Sequence, residues 1–174
     1  MRVSDLSTSE YNPFYHNYIL SAGENTLLAE LKNGKAELIS FLENLAEDKL
    51  GHAYADGKWT LAELLIHIID AERVFQYRAL RFARNDKTAL AGFDQDVYVP
   101  QSNAGARTKQ DIIEEYKTVR ASTQSLFRSF DDEALKRVGV ASGSEMSTRA
   151  MGFIICGHQA HHLKIIHERY LGQE

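Results

Sequence analysis

The sequence is poor in residues that cross-link or interrupt a chain, with one cysteine and two prolines among 174 residues. A lone Cys156 excludes an intrachain disulfide and fits a reducing compartment. With prolines only at Pro13 and Pro100, the central segments are free to run as long helices. No stretch approaches the roughly 20 apolar residues of a membrane span, and Met1-Arg2-Val3-Ser4-Asp5 lacks the apolar run of a signal peptide. The expectation is a cytoplasmic protein with no membrane partner. Basic excess is missing too: 20 Lys and Arg against 24 Asp and Glu leave a formal charge of −4. Without a basic stripe to neutralise phosphates, nucleic acid is excluded as a partner. Strand-like alternation is nearly absent.

What is present is helical periodicity. The length suits one domain, residues 1–174, with 44% hydrophobic residues to fill its core. Residues 1–23 read as an irregular aromatic arm (Tyr11, Phe14, Tyr15, Tyr18) packed across the body. Leu27, Leu28, Leu31, Leu38, Ile39, Leu42 and Leu45 mark an amphipathic helix over about 25–45, in which Gly34 costs about 1 kcal/mol relative to Ala. Thr60-Leu61-Ala62-Glu63 is a capping box, with Trp59 and Leu64 spaced for a hydrophobic staple. The helix it opens runs to about Arg84, with Leu64, Ile68, Ala71, Val74, Phe75 and Arg78 near one face. A long connection, 85–107, precedes Thr108-Lys109-Gln110-Asp111, another helix start. The third helix carries Ile112, Ile113, Tyr116, Val119, Thr123, Leu126, Phe127 and Phe130. Asp131-Asp132-Glu133 suggests a short capped turn and Gly139 to Gly143 a loop. Ser147 caps a last helix that reaches Leu171 and stops at Gly172. Four long helices with one long crossover describe an all-α four-helix bundle.

Four of the seven histidines fall in Gly157-His158-Gln159-Ala160-His161-His162-Leu163-Lys164-Ile165-Ile166-His167. At about 100° per residue, His162 lies about 40° and His161 about −60° from His158. Met151, Ile155 and Ile165 project near the midpoint of the His158/His162 pair, so the pair faces the core. Cys156 falls nearly opposite. His67 projects from the apolar stripe of the second long helix, among Leu64, Ala71 and Val74. Bundle cores are where facing helices assemble metal sites, and three imidazoles leave coordination positions open, as catalytic sites do. A hydrogen-bonded core histidine is the plainer use of each residue, and His161 could replace one partner at i, i+3 spacing. The H-E-x-x-H motif of zinc proteases is not matched, because Gln159 stands where its Glu would be.

A set of segments in order carries a family resemblance: Tyr11-Asn12-Pro13-Phe14-Tyr15, Gly57-Lys58-Trp59-Thr60, His67 through Phe75, Tyr77 through Arg81, Gly92 through Asp96, and Gly157 through His162. Their order and spacing resemble the DinB-like family, which includes the YfiT-like metal-dependent hydrolases and the thiol-dependent S-transferases. The resemblance implies a four-helix bundle, often a homodimer. It also implies a divalent metal ion (nickel, zinc, iron or manganese) held by one His of the second helix and an H-x-x-x-H pair of the last. Those positions here are His67, His158 and His162.

Neutral ligands leave such an ion its full 2+ charge, which lowers the pKa of a water or thiol held there. Two reaction classes on a small molecule follow: hydrolysis of an amide or ester, and S-transfer from a low-molecular-weight thiol. A non-catalytic dimeric metal-binding or stress-response module is the alternative. Arg169 could bind an anionic group, Asp70 could orient an imidazole, and the loop with Asp94, Asp96 and Tyr98 could border the entrance.

Overall fold

In the computed structural model, residues 1–172 are described; Gln173 and Glu174, the end of the expected 1–174 domain, lie outside the described residues. The arm is more ordered than its composition suggests. Three 3-10 turns, Val3–Asp5, Thr8–Glu10 and Pro13–Tyr15, lead into a short helix α1, His16–Ser21. Then come α2 (Leu27–Asn44), α3 (Leu61–Ala83), α4 (Gln95–Tyr98), α5 (Lys109–Arg128) and α6 (Asp132–Lys136). A hairpin of β1 (Val138–Ala141) and β2 (Ser144–Ser147) precedes α7 (Thr148–Ile165), which continues as a π-helical turn, Ile166–Tyr170.

The helix starts follow their capping residues. Thr60 Oγ1 accepts from the Glu63 N–H at 3.2 Å, and Glu63 Oε2 accepts from the Thr60 N–H at 2.7 Å. Thr108 and Asp111 do the same for α5, both at 3.1 Å. Ser147 Oγ accepts from the Ala150 N–H at 3.1 Å, and Asp131 caps α6. Each satisfies donors that a helix start leaves open.

α2, α5, α3 and α7 form a four-helix bundle in which each packs on two of the others, α2 on α5, α5 on α3, α3 on α7 and α7 on α2. No helix among the described residues is long and apolar enough to cross a membrane. α1 lies along α7, in contact so close that a Cβ on Gly157 would come within 1.7 Å of the Tyr18 carbonyl oxygen. The hairpin replaces the loop expected at 139–143. Val138 pairs with Ser147 and Ala141 with Ser144, around a Ser142-Gly143 turn with both φ values positive, 52° and 75°, as two-residue hairpins favour. The crossover joins it through a parallel bridge from Leu90 to Ala141.

The core has two apolar halves. One gathers Leu27, Leu31, Phe75, Phe82, Phe127, Phe153 and Ile154. The other gathers Leu38, Leu42, Leu65, Ile69, Ile112, Tyr116 and Leu163. Between them lies a polar waist. Arg120 of α5, fully buried, donates two 2.8 Å bonds to Glu72 of α3, and a further 2.7 Å bond to Gln159 Oε1 of α7. Thr123 Oγ1 donates to Glu72, and Tyr116 OH to Gln159. Gln159 Nε2 donates to the Gly34 carbonyl of α2 at 2.8 Å. A Cβ at Gly34 would lie 3.0 Å from Gln159 Nε2 and 3.2 Å from an Arg120 nitrogen. The helix glycine therefore makes room for the network that joins all four helices.

Removing one partner of a buried ion pair strands the other in a low-dielectric interior. Arg120→Met is expected to cost about 3–5 kcal/mol in urea denaturation, and the Glu72→Met/Arg120→Met double variant clearly less. A double variant as damaged as the sum of its parts would contradict this.

Candidate metal centre

The waist continues into the imidazoles. α3 and α7 present Glu72 and Gln159 to one side and His67, His158 and His162 to the other. His158 adjoins Gln159 in sequence, about 100° around the helix, so the rotation that seats Gln159 also sets His158. His67, His158 and His162 are buried, 4%, 6% and 9% exposed. Their ligand atoms all lie within 4.8 Å of one another.

The Nε2 atom of His158 lies 3.1 Å from Nε2 of His67 and 3.1 Å from Nε2 of His162. A neutral imidazole nitrogen offers either one proton or one lone pair. It can make one good hydrogen bond, and here it has two claimants. Three lone pairs aimed at one cation resolve the conflict. Nitrogens at about 2.0–2.1 Å from a single ion sit about 2.9 Å apart at right angles and about 3.3 Å apart at the tetrahedral angle; 3.1 Å falls between. The donor set fits a divalent ion of borderline softness.

Burial lowers His67 from its ordinary 6.5 to about 4 and His162 to about 3. Burial, and then the neighbouring imidazoles, hold His158 well below 6.5. All three are therefore neutral at pH 7, with lone pairs free. Aromatic rings wall them in: Trp59 at 5.0 Å from the His67 ring, Tyr18 and Phe75 at 5.4 and 5.9 Å from the His158 ring. Trp59, read from the sequence as a staple for the start of α3, thus packs against the site. Gly157 lets α1 approach closely enough to lay Tyr18 there.

Two cavities meet at the cluster. One of about 500 Å³ is lined by His67 and His158 with Tyr15, Phe75, Arg78 and Phe93. The other, about 270 Å³, is lined by His162 with Trp59, Tyr54 and Lys58. Asp96 of α4 borders both. A depression of about 600 Å³ between α3 and α5 lies away from the imidazoles.

The remaining candidates divide. Asp94 and Asp96 line the larger cavity, so the crossover does border the site; Tyr98 packs on Phe93 instead. Asp70 pairs with Arg73 at 3.3 Å rather than with an imidazole. Arg169 is exposed and lies over the Tyr54 ring, 5.6 Å from its centroid. His161 packs on Tyr18 at 5.1 Å, outside the cluster. Cys156 faces Glu72 and Arg120 across the bundle, and burial pushes its thiol up to about 12. Gln159 serves the waist. Arg78 lines the site's larger cavity, although the sequence places it on an apolar stripe and in a family-like segment without assigning it a role. The missed signal was spacing: eleven residues after His67, it returns to within about 20° of the same face.

A family model of the DinB superfamily matches residues 30–166. Among solved structures, the chain is similar to YfiT from Bacillus subtilis, described as a probable metal-dependent hydrolase with an unusual four-helix bundle topology. The TM-score is 0.70 at 17% identity, covering 85% of this chain and 87% of that one. It is also similar to a mycothiol-dependent maleylpyruvate isomerase, with a TM-score of 0.65 at 11% identity. That match covers 94% of this chain but only 62% of the isomerase. A DinB-like protein of Bacillus subtilis, YjoA, matches with a TM-score of 0.60 at 18% identity, covering 86% and 94% of the two chains. At these identities the likeness establishes the fold alone. No curated protein matches.

The depressed imidazoles have a consequence for metal-free protein. The unfolded chain takes up protons near pH 6.5 that folded His67 refuses until about 4. Stability present above pH 6.5 is therefore lost as pH falls toward 4, by about 1.4 kcal/mol per unit for each such group. Urea titrations in chelator at pH 7.5 and 5 are expected to show a loss that is smaller in His67→Leu. Equal losses in the two proteins would refute the assignment.

Proposed function

The chain belongs to the DinB superfamily, and from that membership and the converging imidazoles we propose a metal-dependent enzyme acting on a small molecule, with His67, His158 and His162 holding one divalent ion. The observation that carries this reading is Nε2 of His158, 3.1 Å from two other imidazole nitrogens and able to satisfy only one. When bound, the ion would supply Lewis acidity, lowering the pKa of a water or thiol toward neutrality. The chain supplies the rest. Neutral imidazoles bind without cancelling the ion's charge, and the rings of Trp59, Tyr18 and Phe75 keep bulk water from them.

Two cavities on either side of one cluster favour a two-component reaction, S-transfer from a low-molecular-weight thiol to an electrophilic substrate. The thiol loses its proton, its sulfur bonds to an electrophilic carbon, and the displaced electron pair takes up a proton in the product. Hydrolysis, the word attached to YfiT, is the second reading. It shares the same three ligands and needs only water. A panel of electrophiles assayed with and without thiol separates the two, because turnover that is indifferent to thiol assigns hydrolysis. The family resemblance also carries a homodimer into this reading. Sedimentation is expected to return about twice 19.7 kDa, and a monomeric mass would remove the dimer from it.

Elemental analysis of loaded protein is expected to find about one divalent ion per chain, lost in His158→Ala. Trp59 is the only tryptophan and packs at a tilt against His67, so paramagnetic Ni²⁺ should quench its emission, and His67→Ala should abolish the response. Protein that takes up no metal after loading would end this reading.

A further inference from the structure

Arg78 is 2% exposed, and no carboxylate among the described residues forms an ion pair with it. One terminal nitrogen donates to the Ala91 carbonyl at 3.0 Å and to Ser142 Oγ at 2.9 Å. The other, NH1, is buried without any hydrogen-bond partner. The guanidinium sits between the rings of Phe75 and Phe93, 5.9 and 5.8 Å from their centroids. All three side chains line the cavity of about 500 Å³ that also holds His67 and His158. A buried cation lacking both a counter-charge and a full set of acceptors is costly. Here the cation is fixed in orientation by two bonds on one nitrogen, and its other nitrogen is left over within the cavity lining.

We propose that Arg78 is the anchor for a carboxylate group of the substrate, which places a small organic monocarboxylate in this cavity with its reacting end toward His67 and His158. The inference rests on reading the imidazoles as the reacting centre and names the substrate class that centre takes. Charge-assisted bonds from an arginine are suited to a planar carboxylate. The flat walls of Tyr15, Phe75 and Phe93 suit an aromatic or unsaturated body. Asp94 and Asp96 line the same cavity, so a dianion such as phosphate meets two like charges where a monoanion meets weaker repulsion. Backbone and hydroxyl acceptors, not carboxylates, hold the arginine, so its charge stays available to a ligand.

The test is calorimetric titration of the full chain, both metal-loaded and chelator-treated, with benzoate, its neutral isostere benzamide, and inorganic phosphate. Benzoate is expected to bind at least tenfold more tightly than benzamide or phosphate, in the metal-free protein as well as the loaded one. Arg78→Gln should lose at least tenfold in benzoate affinity while keeping its metal stoichiometry, and Arg78→Lys should recover part of the loss. Equal affinity for benzoate and benzamide, or unchanged benzoate binding in Arg78→Gln, overturns the proposal. Phosphate binding as tightly as benzoate overturns the carboxylate class. If Arg78→Gln fails to fold, the wild-type benzoate-to-benzamide ratio decides, together with a crystal of the benzoate complex. A carboxylate seated away from Arg78 in that crystal overturns the assignment. Since the metal-free arm needs no ion, failure here and failure of the metal reading are separable. Loaded protein that ignores benzoate refutes the anchor alone, and metal-free protein that binds it through Arg78 sustains the anchor without the metal.

Discussion

Glu72, Arg120 and Gln159 form the one arrangement that every long helix of the bundle must respect. An ion pair buried this deeply is a poor source of net stability, because desolvating both charges offsets most of their attraction. Its effect is on register. Each donor and acceptor in the waist has one position in which it is satisfied: Arg120 between Glu72 and Gln159, Gln159 between Tyr116 and the Gly34 carbonyl. Sliding or rotating any helix by one residue would strand a charge in the apolar interior. The four helices are thereby locked in both height and rotation at the level where the imidazoles stand.

α3 and α7 are each buried on two sides, which explains a feature of their sequences. Residues Met151 to Gln159 are all buried, so the usual polar face is absent from this stretch, as it is in a helix enclosed by protein. One side meets Arg120, and the other meets the cavities. Neighbouring residues on one helix thus take opposite tasks. Gln159 is spent on geometry, and His158 beside it faces the imidazole cluster proposed as the metal site. Gln159 stands where a zinc protease would carry its general base, yet its side chain is committed to α2 and α5.

Much of this was legible in the sequence because it is local. Capping boxes at Thr60 and Thr108 announce helix starts within four residues, and the 158/162 spacing places two imidazoles on one face by helix geometry alone. What was illegible depends on partners far away in the chain. Gly34 reads as a propensity cost until Gln159, 125 residues later, is seen donating to its carbonyl. The hairpin was missed for a different reason. The inward residues of β1, Gly139 and Ala141, are small, and β2 buries the adjacent Met146 and Ser147, so alternation by hydrophobicity is lost in both strands; Gly139 is held to its size by the Phe82 ring, which a Cβ would meet at 2.0 Å. For Arg78 the spacing from His67 marks a shared helix face, but its missing counter-charge depends on residues far away in the chain.

The waist and the site, though contiguous, obey opposite rules. Within the waist the buried polar atoms find partners. Among the described residues the buried side-chain nitrogens or oxygens left without any are NH1 of Arg78 and Nδ1 of His162. Both side chains line the cavities at the imidazole cluster. To these the cluster adds Nε2 of His158, with two neighbours and capacity for one. An unmet buried polar group costs about 1–3 kcal/mol, so a fold able to satisfy a five-residue network had the means to satisfy these as well. Groups left open in this way make that part of the fold less stable than the waist. Any ligand that completes it then stabilises the folded state by mass action. The concentration of unmet demand at one place on the bundle, beside a fully met network on the same two helices, is what supports reading that place as a binding site and the waist as a polar core.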